Sequence, residues 1–227
     1  MSIKTITLED RIRESAYALG FNIVRITGPE PFVSDEAAAL KRIDDPHMDG
    51  YTWYTKERVK KMTPPTLHLD GARSENTLAN SYLTTDPDTG ASGKGRVARY
   101  AWGDDYHKVL KSKLKKFSTN LETISGEKVR SRIFVDDGPM NDRAAARRSG
   151  VGWFGKNTNI LTSSHGSWVF LSQIITDLYL RPDTPLKKTC GNCVACIDDC
   201  PTGAIVAPYV ICLLYTSPSP RDGLLSR

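Results

Sequence analysis

The spacing of apolar residues predicts helices alternating with strands over most of the chain. Apolar residues recur at helical intervals in residues 8–19, where Gly20 ends the pattern, and alternate as in a strand in residues 21–27. Similar patterns predict helices at residues 36–43, 51–62 and 141–149 and after an N-cap at Asp104 or Asp105, and strands at residues 79–84, 128–135, 158–162 and 167–176. The last two strands are expected to pair as a hairpin. This order of elements is typical of an α+β domain, which we place at residues 1–185.

The composition is that of an ordinary globular protein, with 227 residues of which 39% are hydrophobic and 25% charged. A net charge of +5 permits a polyanionic partner without requiring one, because the basic residues are spread along the chain. No run is apolar for long enough to act as a signal peptide or membrane span, so we expect a cytoplasmic protein without a membrane partner. Thiols are kept reduced in the cytoplasm, and the five cysteines are therefore expected to bind metal.

Four of the cysteines follow the spacing C-x2-C-x2-C-x3-C-P, ending at Pro201. This is the bacterial ferredoxin run, in which the first three thiolates bind one [4Fe–4S] cluster and the fourth binds another. Zinc sites usually pair two C-x2-C units across a longer gap, so zinc fits less well. We therefore predict a partial ferredoxin-like 4Fe-4S module at residues 186–211. Its first cluster is bound by Cys190, Cys193 and Cys196, and its second by Cys200.

The end of the sequence does not supply the thiolates that two clusters need. About eight are required, and only Cys212 follows the run. Residues 212–222 match, without a gap, the translation of a common transposase sequencing adapter. We therefore expect residues 212–227 to be a non-native tail and the remaining ligands to be encoded downstream. The alternative is a disordered tail rich in serine and proline.

Four stretches of the chain together resemble epoxyqueuosine reductase, a bacterial tRNA-modification family. They are GRVARYAWGDDYHKVLK, VDDGPMNDRAAARRSGVGWFGKNTNIL, GSWVFLSQIITDL and CGNCVACIDDCPTGAIVAPYV. The resemblance implies reduction of epoxyqueuosine to queuosine at the wobble position of tRNAs with a queuosine-type anticodon. It also implies a monomer that uses cobalamin and two [4Fe–4S] clusters, with electrons passing from a reducing donor through the clusters to cobalt. Full-length members continue into a second cysteine run and a helical-repeat domain.

The resemblance gives Asp136 the role of proton donor, because it matches the aspartate of the family's V-D-x-x-P motif. Reductive opening of an epoxide leaves an oxyanion, and a carboxylic acid beside a partly dry pocket could protonate it. Taken alone, the residues favour an Asx turn before Pro139. Asp137 is the rival carboxyl group, but it falls where the family has a small residue.

The resemblance also places two groups of residues at the active site or against cobalamin. Without the resemblance, the group within residues 99–107 indicates the start of an amphipathic helix, and the group at residues 156–158 indicates a helix cap and a turn. Cobalamin is therefore implied by the resemblance alone. Basic residues of the helix at 141–149 could contact phosphates, although such a run is more often a solvated helix face. The first group is Arg99, Tyr100, Tyr106 and His107, the second is Lys156, Asn157 and Thr158, and the basic residues are Arg143, Arg147 and Arg148.

Two departures from the family pattern and two alternative functions stay open. Asp142 stands where the family has glutamate, and the segment GARSENTLANSYLTTD is more polar than the strand expected there. One alternative is a related corrinoid and iron–sulfur reductase of a small molecule, such as a dehalogenase. The other is a ferredoxin-like electron carrier, which predicts no pocket in the front domain. The chain as it stands is expected to be inactive, because electron delivery needs cluster ligands that it lacks.

Overall fold

The computed structural model describes residues 6–48, 51–85, 97–136 and 138–213. Asp137, most of the polar loop before Gly95 and the adapter-like tail from residue 214 onward lie outside these ranges. Across the described ranges, no helix has both the length and the apolar character that a bilayer crossing requires.

The described chain contains six α-helices and eight β-strands, with short 3-10 turns at Pro46–Met48, Pro65–Leu67 and Arg99–Ala101. The helices are α1 (Leu8–Ala18), α2 (Val33–Ile43), α3 (Lys56–Met62), α4 (Tyr106–Ser125), α5 (Asp142–Ser149) and α6 (Ala195–Asp198). The strands are β1 (Ile23–Thr27), β2 (Ser74–Ser81), β3 (Ser131–Phe134), β4 (Trp153–Phe154), β5 (Ile160–Leu161), β6 (Val169–Thr176), β7 (Ile205–Ala207) and β8 (Val210–Ile211).

A four-stranded antiparallel sheet in the order β1-β2-β6-β3 forms the middle layer of the front domain. Helices α1 and α4 cover one face through an apolar core that includes Ile12, Leu114, Phe117 and Ile174. Helix α5 covers the other face with three buried alanines at residues 144–146, whose small side chains allow close contact with the sheet. The chain is therefore a mixed helix and sheet protein.

The predicted helix ends are confirmed where a capping residue was visible in the sequence. Asp105, one of the two candidates, accepts a hydrogen bond from the backbone N–H of His107 at the start of α4. Helix α5 ends at Gly150, whose φ of +83° favours glycine. The Asp105 cap fixes the end of α4 that carries Tyr106.

Three predicted elements differ from the structure by more than three residues at one end or in their pairing. Strand β2 begins at Ser74 instead of residue 79, because the polar residues of its first half are buried between β1 and β6. Helix α3 begins at Lys56, since residues 51–55 form turns. The predicted hairpin between β5 and β6 is wrong apart from a bridge between Thr162 and Gly166, because β5 pairs with β4.

The central strand β2 contains a buried glutamate, Glu75, whose carboxyl group lacks close hydrogen-bond partners among the described residues. Both side-chain oxygens of Glu75 lack hydrogen-bond partners within the described structure, and the Nη2 atom of Arg148 lies 4.0 Å from Oε2. Burial raises the pKa of Glu75 to about 8. The positive charge of Arg148 lowers this pKa, and the negative charge of Asp142 raises it, but both effects are smaller than that of burial. Glu75 is therefore protonated in the folded protein at neutral pH.

Replacing Glu75 with Gln is expected to stabilise the protein at alkaline pH. Between pH 4.5 and about 8 the folded wild type holds a proton that the unfolded chain releases, so its free energy of unfolding falls as pH rises. At about 1.4 kcal/mol per pKa unit, the difference between 4.5 and about 8 corresponds to about 5 kcal/mol, which gives a Tm difference of about 10–20 °C at pH 8.5 and almost none at pH 4.5. Thermal melts at both pH values test this, and a Tm difference independent of pH contradicts it.

Candidate active site

A cavity of ≈ 170 Å³ opens at the edge of the sheet where β6 begins beside the end of β2. Its wall combines residues from α4, α5, β6 and the loops after β2, β3 and β4. The side chains that matter for the chemistry are Tyr82, Tyr106, Asp136, Arg143, Asn159 and Phe170. Aromatic rings and ionisable groups thus meet in one concave site, which is the usual form of a small-ligand or active site.

Asp136 lies two residues after the end of β3, and its backbone has an unusual conformation. Its φ of +54° falls in the left-handed region, which aspartate tolerates better than most residues. Such conformations cost about 1–3 kcal/mol and cluster at functional sites. Its side chain is 62% exposed, so the carboxyl group faces the cavity and solvent together.

Tyr106 holds the Asp136 carboxylate through a hydrogen bond. Its hydroxyl donates to Oδ2 of Asp136 across 2.5 Å. The Tyr106 ring is stacked against His107 and against Phe170, with both centroid separations 4.0 Å. Burial, followed by the bond to Asp136, raises the pKa of Tyr106. The phenol therefore remains a hydrogen-bond donor over the physiological pH range.

His107 is oriented by the residue that caps its own helix. Nδ1 of His107 lies 2.9 Å from Oδ1 of Asp105, and Nε2 lies 4.0 Å from Oδ2 of Asp136. The hydrogen bonds from the His107 ring and backbone lower the pKa of Asp105. The start of α4 thus delivers a phenol and an imidazole to the same carboxyl group.

The three arginines of α5 have different surroundings. Arg143 lines the cavity and donates from Nη1 to the Thr158 carbonyl across 3.3 Å. Arg147 forms an ion pair of 2.8 Å with Asp35. Arg148 is held inside the protein by the oxygens of Thr27, Gly28 and Glu30. The geometry therefore leaves Arg143 as the arginine of this helix that faces the candidate site.

The other predicted cobalamin contacts do not line this cavity. The Arg99 guanidinium lies 5.1 Å from the Trp168 ring centroid, and Tyr100 is exposed on the same short turn. Lys156 instead donates from Nζ to the carbonyl of Gly191 in the cysteine segment, across 2.8 Å. Asn157 and Thr158 stabilise the turn before β5, since Oδ1 of Asn157 accepts from Asn159 and the Thr158 N–H bonds to Gly155.

The glycine-rich segment between α5 and β5 serves the protein's own packing. A Cβ atom at Gly152 would lie 2.4 Å from the Leu161 carbonyl oxygen, so only glycine lets β4 pair with β5 there. The indole N–H of Trp153 in this segment is buried and has no hydrogen-bond partner among the described residues. The described residues therefore leave this buried donor unsatisfied.

Sequence patterns missed three aromatic or polar residues of the site. Tyr82 and Phe170 have ring centroids 4.5 Å apart, and Phe170 lies against Tyr106. Asn159 reaches the cavity from the turn before β5. The strand alternation of β6 could have indicated that Phe170 shares a face with Ile174, but not that Tyr106 covers it.

The cysteine segment wraps around the short helix α6 and joins the hairpin β7–β8. All its thiols are free, and hydrogen bonding, first from the backbone N–H of Ile205, lowers the pKa of Cys200. A thiol that ionises readily is a suitable iron ligand. The described ranges contain no group of three or more His, Cys, Asp or Glu side chains arranged around a metal position. The donor types and spacing fit iron–sulfur clusters, while the ferredoxin-like fold of this segment stays a prediction.

Comparison with known proteins places the chain in a family. Residues 63–137 match the family model described as "Epoxyqueuosine reductase QueG, DUF1730". The chain is 39% identical over 210 residues to epoxyqueuosine reductase from Cellulophaga algicola, covering 91% of this chain and 67% of the relative. It is 35% identical over 218 residues to that of Atelocyanobacterium thalassa, covering 93% and 70%. The chain belongs to the epoxyqueuosine reductase family.

Solved structures of epoxyqueuosine reductases share the fold. One contains an epoxyqueuosine-modified stem loop of a tyrosine tRNA and aligns with a TM-score of 0.84 at 32% identity, covering 92% of this chain. Another, from Bacillus subtilis, has an aspartate-bearing catalytic loop swung out of the active site, with a TM-score of 0.83 at 31% identity and the same 92% coverage. This chain spans 55% of the length of each of these structures.

Proposed function

We propose that this chain carries the active site of an enzyme that reduces epoxyqueuosine to queuosine within tRNA, and that without the missing cluster ligands it does not accept electrons from a protein donor. The observation that carries the proposal is the pairing of Tyr106 with Asp136 at the mouth of an aromatic cavity, in a member of the epoxyqueuosine reductase family. Conversion of the epoxide to an alkene consumes two electrons and two protons and releases the oxygen as water. The site must therefore deliver protons beside the bound nucleoside.

Asp136 is proposed to protonate the epoxide oxygen as its carbon–oxygen bond breaks. Its exposed side chain can regain a proton from solvent, while the hydrogen bond from Tyr106 fixes the position of Oδ2. The rings of Tyr82 and Phe170 provide apolar surface for the flat base. Arg143, on the same cavity wall, is placed to attract a phosphate of the RNA strand.

Cobalamin is proposed as the cofactor bound beside this cavity, where it would supply low-potential electrons to the epoxide. The residues proposed to hold it are Arg99, Tyr100, His107 and the turn at 156–158. Lys156 spans the gap to the cysteine segment, and its carbonyl accepts a hydrogen bond from the N–H of Tyr209. This contact fixes the cysteine segment against the front domain.

The iron–sulfur assignment stays as predicted from the cysteine spacing. Cys190, Cys193 and Cys196 are proposed as ligands of a first [4Fe–4S] cluster and Cys200 as a ligand of a second. The sequence and the family resemblance support four further proposals. They are a division of the chain at residues 185 and 211, a monomeric state, a reducing electron donor and a cytoplasmic location. Passage of electrons from a protein donor would need the further ligands expected downstream.

The alternatives have weaker support. A reductive dehalogenase whose structure suggests a mechanism for B12-dependent dehalogenation aligns with a TM-score of 0.52 at 14% identity, which shows a shared fold alone. The electron-carrier hypothesis predicted a front domain without a pocket, and the cavity beside Asp136 contradicts it.

The test is reduction of epoxyqueuosine-containing tRNA by the chain loaded with cobalamin under anaerobic conditions. Titanium(III) citrate supplies electrons directly, so the assay does not depend on complete clusters. Nucleosides are then released and identified by mass spectrometry. Queuosine should appear only when the chain, cobalamin and reductant are all present.

Replacing Tyr106 with Phe is expected to lower the rate constant of reduction by about 10- to 100-fold. The variant keeps the stacked ring but loses a hydrogen bond to a charged group, which contributes about 1.5–3 kcal/mol. Single-turnover rates and their pH profile measure the effect. Tyr179→Phe removes a hydroxyl from an exposed tyrosine and should leave the rate unchanged. A wild-type rate and pH profile in Tyr106→Phe contradicts the role of the hydroxyl.

A further inference from the structure

The turn before α3 exposes an aromatic group outside the cavity that the proposed chemistry does not use. We name it the aromatic turn and define it as Tyr51, Trp53 and Tyr54. The sequence predicts this stretch as helix, but the structure has turns at residues 51–55. Trp53 is 57% exposed, which is costly for so large an apolar side chain. Exposed aromatic groups of this kind often mark binding surfaces.

The rings of the aromatic turn do not cover each other. Tyr51 and Trp53 have centroids 6.0 Å apart and planes tilted by 54°, and Trp53 meets Tyr54 nearly edge-on at 82°. The Arg58 guanidinium lies 4.9 Å from the Trp53 ring centroid. An indole beside a guanidinium is a common stacking platform for an unpaired nucleic-acid base.

The charge around the aromatic turn suits a phosphate backbone. Helix α3 carries four cationic side chains and one anionic side chain, Glu57, over seven residues. Lys56 is paired with Asp44 across 3.0 Å, while Arg58 lies against Trp53. Positive charge next to exposed aromatic rings distinguishes a single-stranded nucleic-acid surface from an apolar protein interface. The four cations are Lys56, Arg58, Lys60 and Lys61.

The aromatic turn is electrostatically connected to the candidate active site through Tyr54. Burial raises the pKa of Tyr54, and the charges of Arg143 and Arg58 oppose this rise. Tyr54 therefore lies near Arg143 of the cavity wall and near Arg58 of α3. A separate cavity of ≈ 380 Å³, lined in part by Met48, Tyr51 and Tyr54, opens beside the turn.

We propose that the aromatic turn binds an unpaired nucleotide of the tRNA anticodon loop, next to the nucleotide whose base enters the cavity. The base stacks on Trp53, and Arg58 contacts the stacked base or its phosphate. The identity of the RNA rests on the proposed function, whereas the binding surface itself does not. Stacking of this kind contributes about 1–3 kcal/mol per base, so its loss should weaken binding by about 5- to 150-fold.

The test measures binding of a fluorescently labelled anticodon stem–loop to the 227-residue chain by anisotropy. Trp53→Ala should raise Kd by about 5- to 150-fold, and Trp53→Phe should restore most of the affinity because it keeps an aromatic ring. The dependence of Kd on salt should be nearly unchanged in Trp53→Ala, since no phosphate contact is removed. Tyr179→Ala, which truncates another exposed aromatic residue, should bind like wild type.

A second arm identifies the base that stacks on Trp53. Stem–loops with one abasic nucleotide on either side of the modified position are titrated against wild type and Trp53→Ala. One abasic substitution should weaken binding to wild type and have no further effect on Trp53→Ala. Equal affinities of wild type and a folded Trp53→Ala, or no binding of the stem–loop, overturn the proposal. The proposed function is judged separately by queuosine formation, which does not require that Trp53 contribute.

Discussion

Asp136→Asn is expected to lower the single-turnover rate of epoxide reduction by about 10²- to 10⁴-fold, the usual contribution of a positioned general acid. The amide keeps the size of the side chain and can accept the hydrogen bond from Tyr106, but it cannot transfer a proton to the epoxide oxygen. The affinity for epoxyqueuosine-containing tRNA should change little, because the loss falls on the chemical step. Nucleoside analysis after reduction with titanium(III) citrate gives the rate, and anisotropy gives the affinity.

Asp137→Asn is the matched control for this prediction. It removes the carboxyl group of the next residue in the sequence and should reduce the rate by less than about threefold. A large loss of rate in Asp137→Asn, together with a wild-type rate in Asp136→Asn, would show that Asp137 and not Asp136 donates the proton. Equal and modest losses in both variants would mean that solvent supplies the proton.

Cys193→Ser is expected to lower the iron and sulfide bound by the chain after anaerobic reconstitution by about tenfold or more. Serine replaces one of three thiolates proposed for the first cluster, and two remaining thiolates cannot hold a cubane. Cys200→Ser should retain most of the iron, because its thiolate belongs to another cluster despite lying within the same run. Elemental analysis and visible absorption measure both variants.

Cys212→Ser provides the control for the cysteine predictions. Cys212 is buried beside Ala204 and is not assigned to either cluster. Its replacement should leave the iron content unchanged. Equal iron loss in Cys193→Ser and Cys200→Ser contradicts the division of the ligands, and a wild-type chain that binds zinc without iron or sulfide contradicts the iron–sulfur assignment.

The helices around the sheet could be predicted from the sequence because their signals are local. Helix α4 has a capping aspartate and buries Leu110, Leu114 and Phe117 on one face, so its start and its inner face were both visible. Strand β2 could not be predicted at its true start, because Glu75 and the two polar residues after it lie in the sheet interior. Their burial depends on β1 and β6, which are distant in the sequence.

The candidate site was predictable in some of its residues but not in its contacts. The resemblance identified Asp136 and Tyr106 separately, whereas their hydrogen bond depends on the packing of α4 against the end of β3. The stacking of Phe170 on Tyr106 likewise requires the sheet order, which no local pattern contains. For Lys156 the sequence did not indicate the contact that the structure shows. This residue was predicted to bind cobalamin, and in the folded chain its Nζ atom donates to the carbonyl of Gly191 in the cysteine segment.

The most direct test of the account is the mass-spectrometric analysis of epoxyqueuosine-containing tRNA after incubation with the cobalamin-loaded chain and titanium(III) citrate. We expect the epoxyqueuosine nucleoside to lose one oxygen atom and become queuosine, at a rate that falls by at least about 10²-fold in Asp136→Asn. Unchanged epoxyqueuosine in the presence of a folded chain that holds cobalamin and binds the tRNA would contradict the account.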